Sequence, residues 1–146
     1  MDLSAATDVL VTLLAAALGA AIGAEREWRR HPGGLRSCAL VSAAACVFAR
    51  VAVEFGGTNP GAALGAIATG VGFLGAGVIL RQSGQVRGLS TAATFWAVAA
   101  IGASAGVLRY GLALTLTILV FFAHVGLRPL SNWIERRAPP ESGGPS

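Results

Sequence analysis

The sequence predicts an all-α integral membrane protein, a bundle of about five transmembrane helices with the N-terminus outside and the C-terminus in the cytoplasm. Three observations carry this. Hydrophobic residues make up 54% of the chain and charged residues 12%, with a mean hydropathy of +0.67, so most of the chain is no solvated surface. The uncharged runs are long: only Arg50 and Glu54 interrupt Ser37 to Leu80, and only Arg109 interrupts Gly88 to Leu127. Each apolar segment also has the length needed to cross a hydrocarbon core of roughly 30 Å.

The first segment is expected over Thr7 to Ala24, with Thr7 or Asp8 capping its start. The residues before it carry Asp2 and Asp8 and no basic residue, the reverse of a signal peptide's charged front, so a retained helix is expected. Further helices are expected over Ser37–Phe55, Gly61–Leu80, Thr91–Val107 and Tyr110–Leu127. Stripes of small residues recur along them: Thr12, Ala16, Gly19 and Gly23; Cys38, Ser42, Ala45 and Ala49; Ala93, Ala97, Ala100 and Ser104. Such faces let backbones approach where lipid supplies no hydrophobic drive. The third segment concentrates glycine, and Gly65, Gly72, Gly75 and Gly77 are read as helix-packing positions. The fifth is bulky all round and is expected at the periphery. Residues 1–128 thus form the membrane domain. Residues 129–146 are read as a short interfacial segment around Trp133 and Ile134, then a disordered cytoplasmic tail.

Arginine asymmetry sets the expected orientation. Arg26, Arg29, Arg30, Arg36, Arg81, Arg87, Arg128, Arg136 and Arg137 fall on one side, against Arg109 on the other, joined by Arg50 if it reaches its interface. The same pattern explains the pI near 10.5 without nucleic acid as a partner. Arg50 is expected to reach the outer interface and pair with Glu54.

Chemistry is sparse. Cys38 and Cys46 lie eight residues apart in one helix, too far for a disulfide. His31 and His124 have no evident partners, and no metal-ligand spacing, nucleophile–base pair or cofactor loop appears, so neither an enzyme nor a cofactor is expected. Two polar stretches stand out. The first loop reads GAEREWRRHPGGLRSC, where Glu25 and Arg29 make an i,i+4 pair. It is either an interfacial charge cluster or a surface whose Glu25 and Arg26 dock onto a polar elbow at residues 81–91. In that elbow Arg81 and Arg87 bracket a turn, Gly84 and Gly88 suit positive φ, and Ser90 or Thr91 is expected to cap the fourth helix.

The order GAERE, PGGLRS, GVGFLGAGVILR and GLSTAATFWAVAAIGASAG closely resembles the N-terminal membrane domain of the MgtC/SapB family, over about residues 9 to 128. The resemblance implies a single-domain member, without the C-terminal cytoplasmic domain of the virulence-linked members. It maps Glu25, Arg26 and Glu27 onto the family's ERE, Arg36 onto its GLR, Arg81 onto the arginine ending the third helix, and Gly88, Ser90 and Thr91 onto its elbow. Here Cys38 stands where a histidine is usual. The implied function is a non-enzymatic protein of the bacterial inner membrane. It would modulate adaptation to low magnesium, or membrane energetics, through another membrane protein such as the F-type ATP synthase, or as a homo-oligomer. The alternative is a small oligomeric transporter or channel for Mg²⁺ or another ion, although no carboxylate falls in a predicted helix centre.

Overall fold

A computed structural model of the chain describes residues 3–55, 60–82, 85–127, 133, 134 and 137. Within them lie α1 (Leu3–Trp28), α2 (Leu35–Phe55), α3 (Pro60–Val78), β1 (Leu80–Gln82), β2 (Gln85–Arg87), α4 (Leu89–Gly106) and α5 (Tyr110–Gly126). The first four helices are long and apolar enough to span a membrane, and α5 is a slightly shorter apolar helix. The chain is a multi-pass membrane protein. α1 runs four residues past its expected end at Ala24, and Glu25 on its last turn makes the expected ion pair with Arg29 just beyond the helix. α3 opens on Pro60, at the position where a missing N–H removes no helical hydrogen bond.

The bundle is built around α4, which packs against each of the other four helices. Helices can surround a fifth this closely only where side chains vanish. A Cβ placed on Gly102 would lie 2.0 Å from the Ser42 carbonyl oxygen of α2, and one on Gly106 would lie 2.5 Å from that of Cys46. On α1, a Cβ at Gly19 would meet the Cys38 carbonyl oxygen at 2.5 Å. The run Cys38, Ser42, Cys46 and Ala49 is therefore a buried backbone ridge on α2 that α1 and α4 straddle. The small stripe expected on α2 is buried as read, whereas that on α4 is displaced. Ala93 is exposed and Ala97 and Ala100 only half-buried, and the tight contact uses the Gly102–Gly106 pair instead.

The glycines of α3 also differ from expectation. Apart from chain neighbours and the helix's own backbone, no described atom comes within 4 Å of where a Cβ would sit on Gly65, Gly72 or Gly77, and at Gly75 the nearest is the Ala92 methyl at 3.4 Å. Within this chain, then, Gly65, Gly72 and Gly77 are not packing positions. The reason is geometric: α3 lies along the flank of α4 and stands off from α2. This leaves an apolar groove of ≈ 640 Å³ lined by Val41, Ala45, Phe48, Ala66, Gly70 and Leu74. α5 is peripheral as expected, with Ala113 its one buried residue.

Arg50 pairs with Asp8 rather than Glu54. α1 and α2 are antiparallel, so the start of one meets the end of the other, and the pair joins them at the end remote from the first loop. The polar elbow is a β-hairpin whose strands pair Leu80 with Arg87 and Arg81 with Val86. Gly84, residues 128–132, 135 and 136, and the tail 138–146 lie outside the described residues, so the turn and most of the interfacial segment do too. Arg137 stacks over the Trp133 ring at 4.2 Å.

Candidate functional site: a buried arginine node

Arg26 occupies the last turn of α1 and is 2% exposed, the bulkiest side chain buried to this degree. Taking a guanidinium out of water costs several kcal/mol unless its hydrogens find partners. Here they do. Nε donates to the Gly33 carbonyl oxygen (3.1 Å), Nη1 to Thr94 Oγ1 (2.9 Å), and Nη2 to both the Pro32 carbonyl oxygen (2.5 Å) and Thr91 Oγ1 (2.8 Å). The planar fork suits this task because four acceptors surround it on two sides, where a single ammonium could not reach them all. No carboxylate contacts it among the described residues; the C-terminal end of the α1 dipole supplies a favourable field.

The first loop is shaped to deliver two of those acceptors. Arg30 has φ 57° and Gly33 φ 72°, so the chain reverses within a few residues of Trp28. Gly33 faces α4 so closely that a Cβ there would lie 2.8 Å from Thr91 Cγ2 and 2.9 Å from the Phe95 ring. The N–H of Leu35, first in α2, donates to Glu27 Oε2 (2.8 Å). The α2 start is thus capped by a carboxylate from the end of α1, which also complements the helix dipole. The Cys38 thiol donates to the Gly33 carbonyl oxygen (3.3 Å).

The node extends to α5. Thr94 Oγ1 gives its single hydrogen to the Ser90 carbonyl oxygen (2.7 Å) and accepts from Arg26. Its 3.0 Å contact with His124 Nε2 then requires Nε2–H as the donor. One arginine thereby joins α1, the first loop, α4 and, through Thr94, α5.

The expected site residues divide sharply on this geometry. Arg26 and Thr91 meet directly, and Glu27 braces the same loop. Glu25 is spent on Arg29 and does not reach the elbow, so the docking expectation holds for Arg26 alone. Gly88 is the N-cap of α4, at φ 93°, with no side-chain cap. A Cβ there would fall 2.0 Å from the Val78 carbonyl oxygen, so only glycine closes the hairpin onto α4. The expected capping by Ser90 or Thr91 is therefore corrected. Both lie inside the helix, Thr91 turned to Arg26 and Ser90 exposed. Arg36, Arg81 and Arg87 are exposed as well. Sequence reading missed Pro32, Gly33, Thr94 and His124. The signals were there: Thr91 and Thr94 share a helix face at i,i+3, and His124 is a lone titratable group in an apolar helix.

A family model described as the MgtC family matches residues 12–133, a range that contains every residue of the node. The chain is 44% identical over 128 residues to the protein MgtC of Salmonella typhimurium, covering 88% of this chain and 55% of that one. It is 39% identical over 121 residues to an uncharacterized protein of Synechocystis, covering 82% and 52%. With the protein MgtC of Brucella abortus the identity is 38% over 122 residues, covering 83% and 51%. The chain thus spans about half the length of the curated relatives it matches. No solved structure matches it.

Proposed function

The chain belongs to the MgtC family, and from that premise we propose that it is a non-enzymatic protein of the bacterial inner membrane that modulates adaptation to low magnesium, or membrane energetics, by contacting another membrane protein. The observation that carries the proposal is the family match over residues 12–133, joined to a division of labour in the polar end of the bundle. Arg26, Glu27, Thr91 and Thr94 are used up internally. Arg36, Arg81, Ser90 and Arg87 are presented outward on loops and helix ends that the node holds in place. Rigidly mounted, exposed polar side chains are what a contact surface needs.

In this reading the loop-and-hairpin end is cytoplasmic and the N-terminus outside. Arg26, Arg29, Arg30, Arg36, Arg81 and Arg87 gather at that end, against Arg50, already paired with Asp8, and Arg109 at the other. Residues 1–128 are the membrane domain, and the partner is a membrane protein such as the F-type ATP synthase, or a second copy of the chain.

Two measurements test this. A photo-crosslinking residue at position 36 or 81 in living cells should capture one defined membrane protein, and deletion of the gene should alter growth in low magnesium or the membrane potential. Unchanged growth together with unchanged potential would overturn the proposal.

A further inference from the structure

The cationic end of the bundle carries charge that the fold leaves unmatched. Both nearby glutamates are engaged, Glu25 by Arg29 and Glu27 by the Leu35 N–H. The guanidinium groups of Arg30, Arg36, Arg81 and Arg87 are exposed and make no hydrogen bond or ion pair among the described residues. Six arginines thus face two glutamates at this end.

The hairpin shows what kind of anion would match them. Directly opposed residues of an antiparallel pair share a face and neighbours along a strand alternate. Leu80 with Arg87 therefore lie on one face and Arg81 with Val86 on the other. The two arginines point to opposite sides and cannot converge on one free phosphate. Each face instead couples a guanidinium with an exposed apolar side chain, Leu80 at 63% and Val86 at 53% exposed. Strands this short make a hairpin that is marginal in water. Trp28, 90% exposed at the end of α1, has the amphipathic ring that sits at headgroup level. An environment that is anionic, partly apolar and present on both sides of the hairpin at once is a layer of acidic lipid headgroups.

We propose that this end of the bundle is a binding surface for anionic phospholipids, with the paired strands β1 and β2 immersed among the headgroups and Arg81 and Arg87 each holding a lipid phosphate from opposite faces, Arg30 and Arg36 adding the first loop's contribution. Guanidinium groups pair with phosphate through two parallel N–H···O bonds, which gives the headgroup a fixed seat. The first loop and the hairpin share one rigid mount. Gly33 abuts Thr91 and Phe95 in the early turns of α4, and Gly88 joins the hairpin to that helix. These arginines are the same ones offered above to a protein partner, so the lipid test is run on the isolated chain, where no partner competes and its outcome is separate from the crosslinking result.

The test uses the full chain in nanodiscs of equal parts phosphatidylcholine and phosphatidylglycerol, released into neutral detergent and weighed with its retained lipids by native mass spectrometry. Each basic group beside an anionic surface changes partitioning about five-fold. R81Q/R87Q is therefore expected to weaken the retention of each hairpin-bound phosphatidylglycerol about five-fold, R30Q/R36Q to do the same for the lipid held by the first loop, and R109Q, at the opposite end, to match the parent. All three variants should keep the parent's melting temperature in neutral detergent, since none of these side chains has an internal partner among the described residues. Equal retention of the two lipids by the parent, or undiminished phosphatidylglycerol in both double variants, would overturn the proposal. Displacement of the lipid by millimolar inorganic phosphate at low salt, with no effect of sulfate, would also overturn it, showing a free-phosphate site instead.

Discussion

Replacing Arg26 by methionine keeps the volume and removes the fork. The side chain makes four hydrogen bonds, two to backbone carbonyls and two to hydroxyls. Bonds to a charged donor contribute about 1.5–3 kcal/mol each in favourable cases, but the sum overstates the loss because methionine is also spared the guanidinium's desolvation. The four acceptors do not suffer equally. Thr94 keeps its bond to the Ser90 carbonyl, and Thr91 can strengthen its long bond to the Pro32 carbonyl, now 3.4 Å. The Gly33 carbonyl keeps only the thiol of Cys38. Leaving a buried acceptor short of its donor costs about 1–3 kcal/mol, and a loss of even 3 kcal/mol lowers the folded-to-unfolded ratio by about a hundredfold. R26K, retaining the charge but not the fork, should fall between parent and R26M. R29M, which loses only a partly exposed i,i+4 pair, should cost about half a kcal/mol or less. Unfolding by graded sodium dodecyl sulfate in mixed micelles reads these differences. A second readout isolates the geometry: in R26G, millimolar methylguanidinium should restore stability, whereas methylammonium should not. If R26M unfolds with the parent, Arg26 is not the tie that joins α1, the first loop and α4.

Gly102→Leu should abolish the folded bundle, because its side chain would occupy the Ser42 carbonyl of α2; Gly72→Leu, opening into free space, should leave the melting temperature within a few degrees of the parent, and the reverse order would show that α3 packs more closely than described. Gly88→Ala should destabilise by about 2 kcal/mol or more, from positive φ and a clash with the Val78 carbonyl combined, whereas Ser90→Ala, removing an exposed hydroxyl that caps nothing, should unfold with the parent in the same micelles. Asp8→Asn weakens a half-exposed pair with Arg50, so a loss of about 1 kcal/mol or less is expected; a larger loss would show that this pair is shielded from solvent by its surroundings.

The helices were legible in the chain because their cause is local. In lipid each backbone group must be satisfied within its own segment, so apolar length alone announces a span, and the expected segments lie within or close to α1–α5. The α2 stripe and the peripheral α5 were legible for a similar reason, since small or bulky faces are properties of one helix. The family resemblance, too, was carried by ordered motifs in the sequence, and the comparison with relatives establishes it.

What the chain alone did not determine is which face meets which. Glycine content pointed to GFLGAG on α3, yet close approach occurs at GASAG on α4, because α4 and not α3 occupies the centre. Arg50 looked adjacent to Glu54 along one helix, and antiparallel packing gave it Asp8 instead. The elbow was visible as polar, but its pairing register, which turns Arg81 and Arg87 to opposite faces, belongs to the hairpin. Arg26 read either as one more interfacial charge or as a group docking onto the elbow, and spacing did not choose between them. Its burial arises only when Pro32 and Gly33 bring their carbonyls, and α4 its two threonines, to the same few ångströms. Composition and spacing act along one dimension and determine the spans. Burial of a charge is a balance between its desolvation and partners remote in sequence, and only the tertiary structure assembles those.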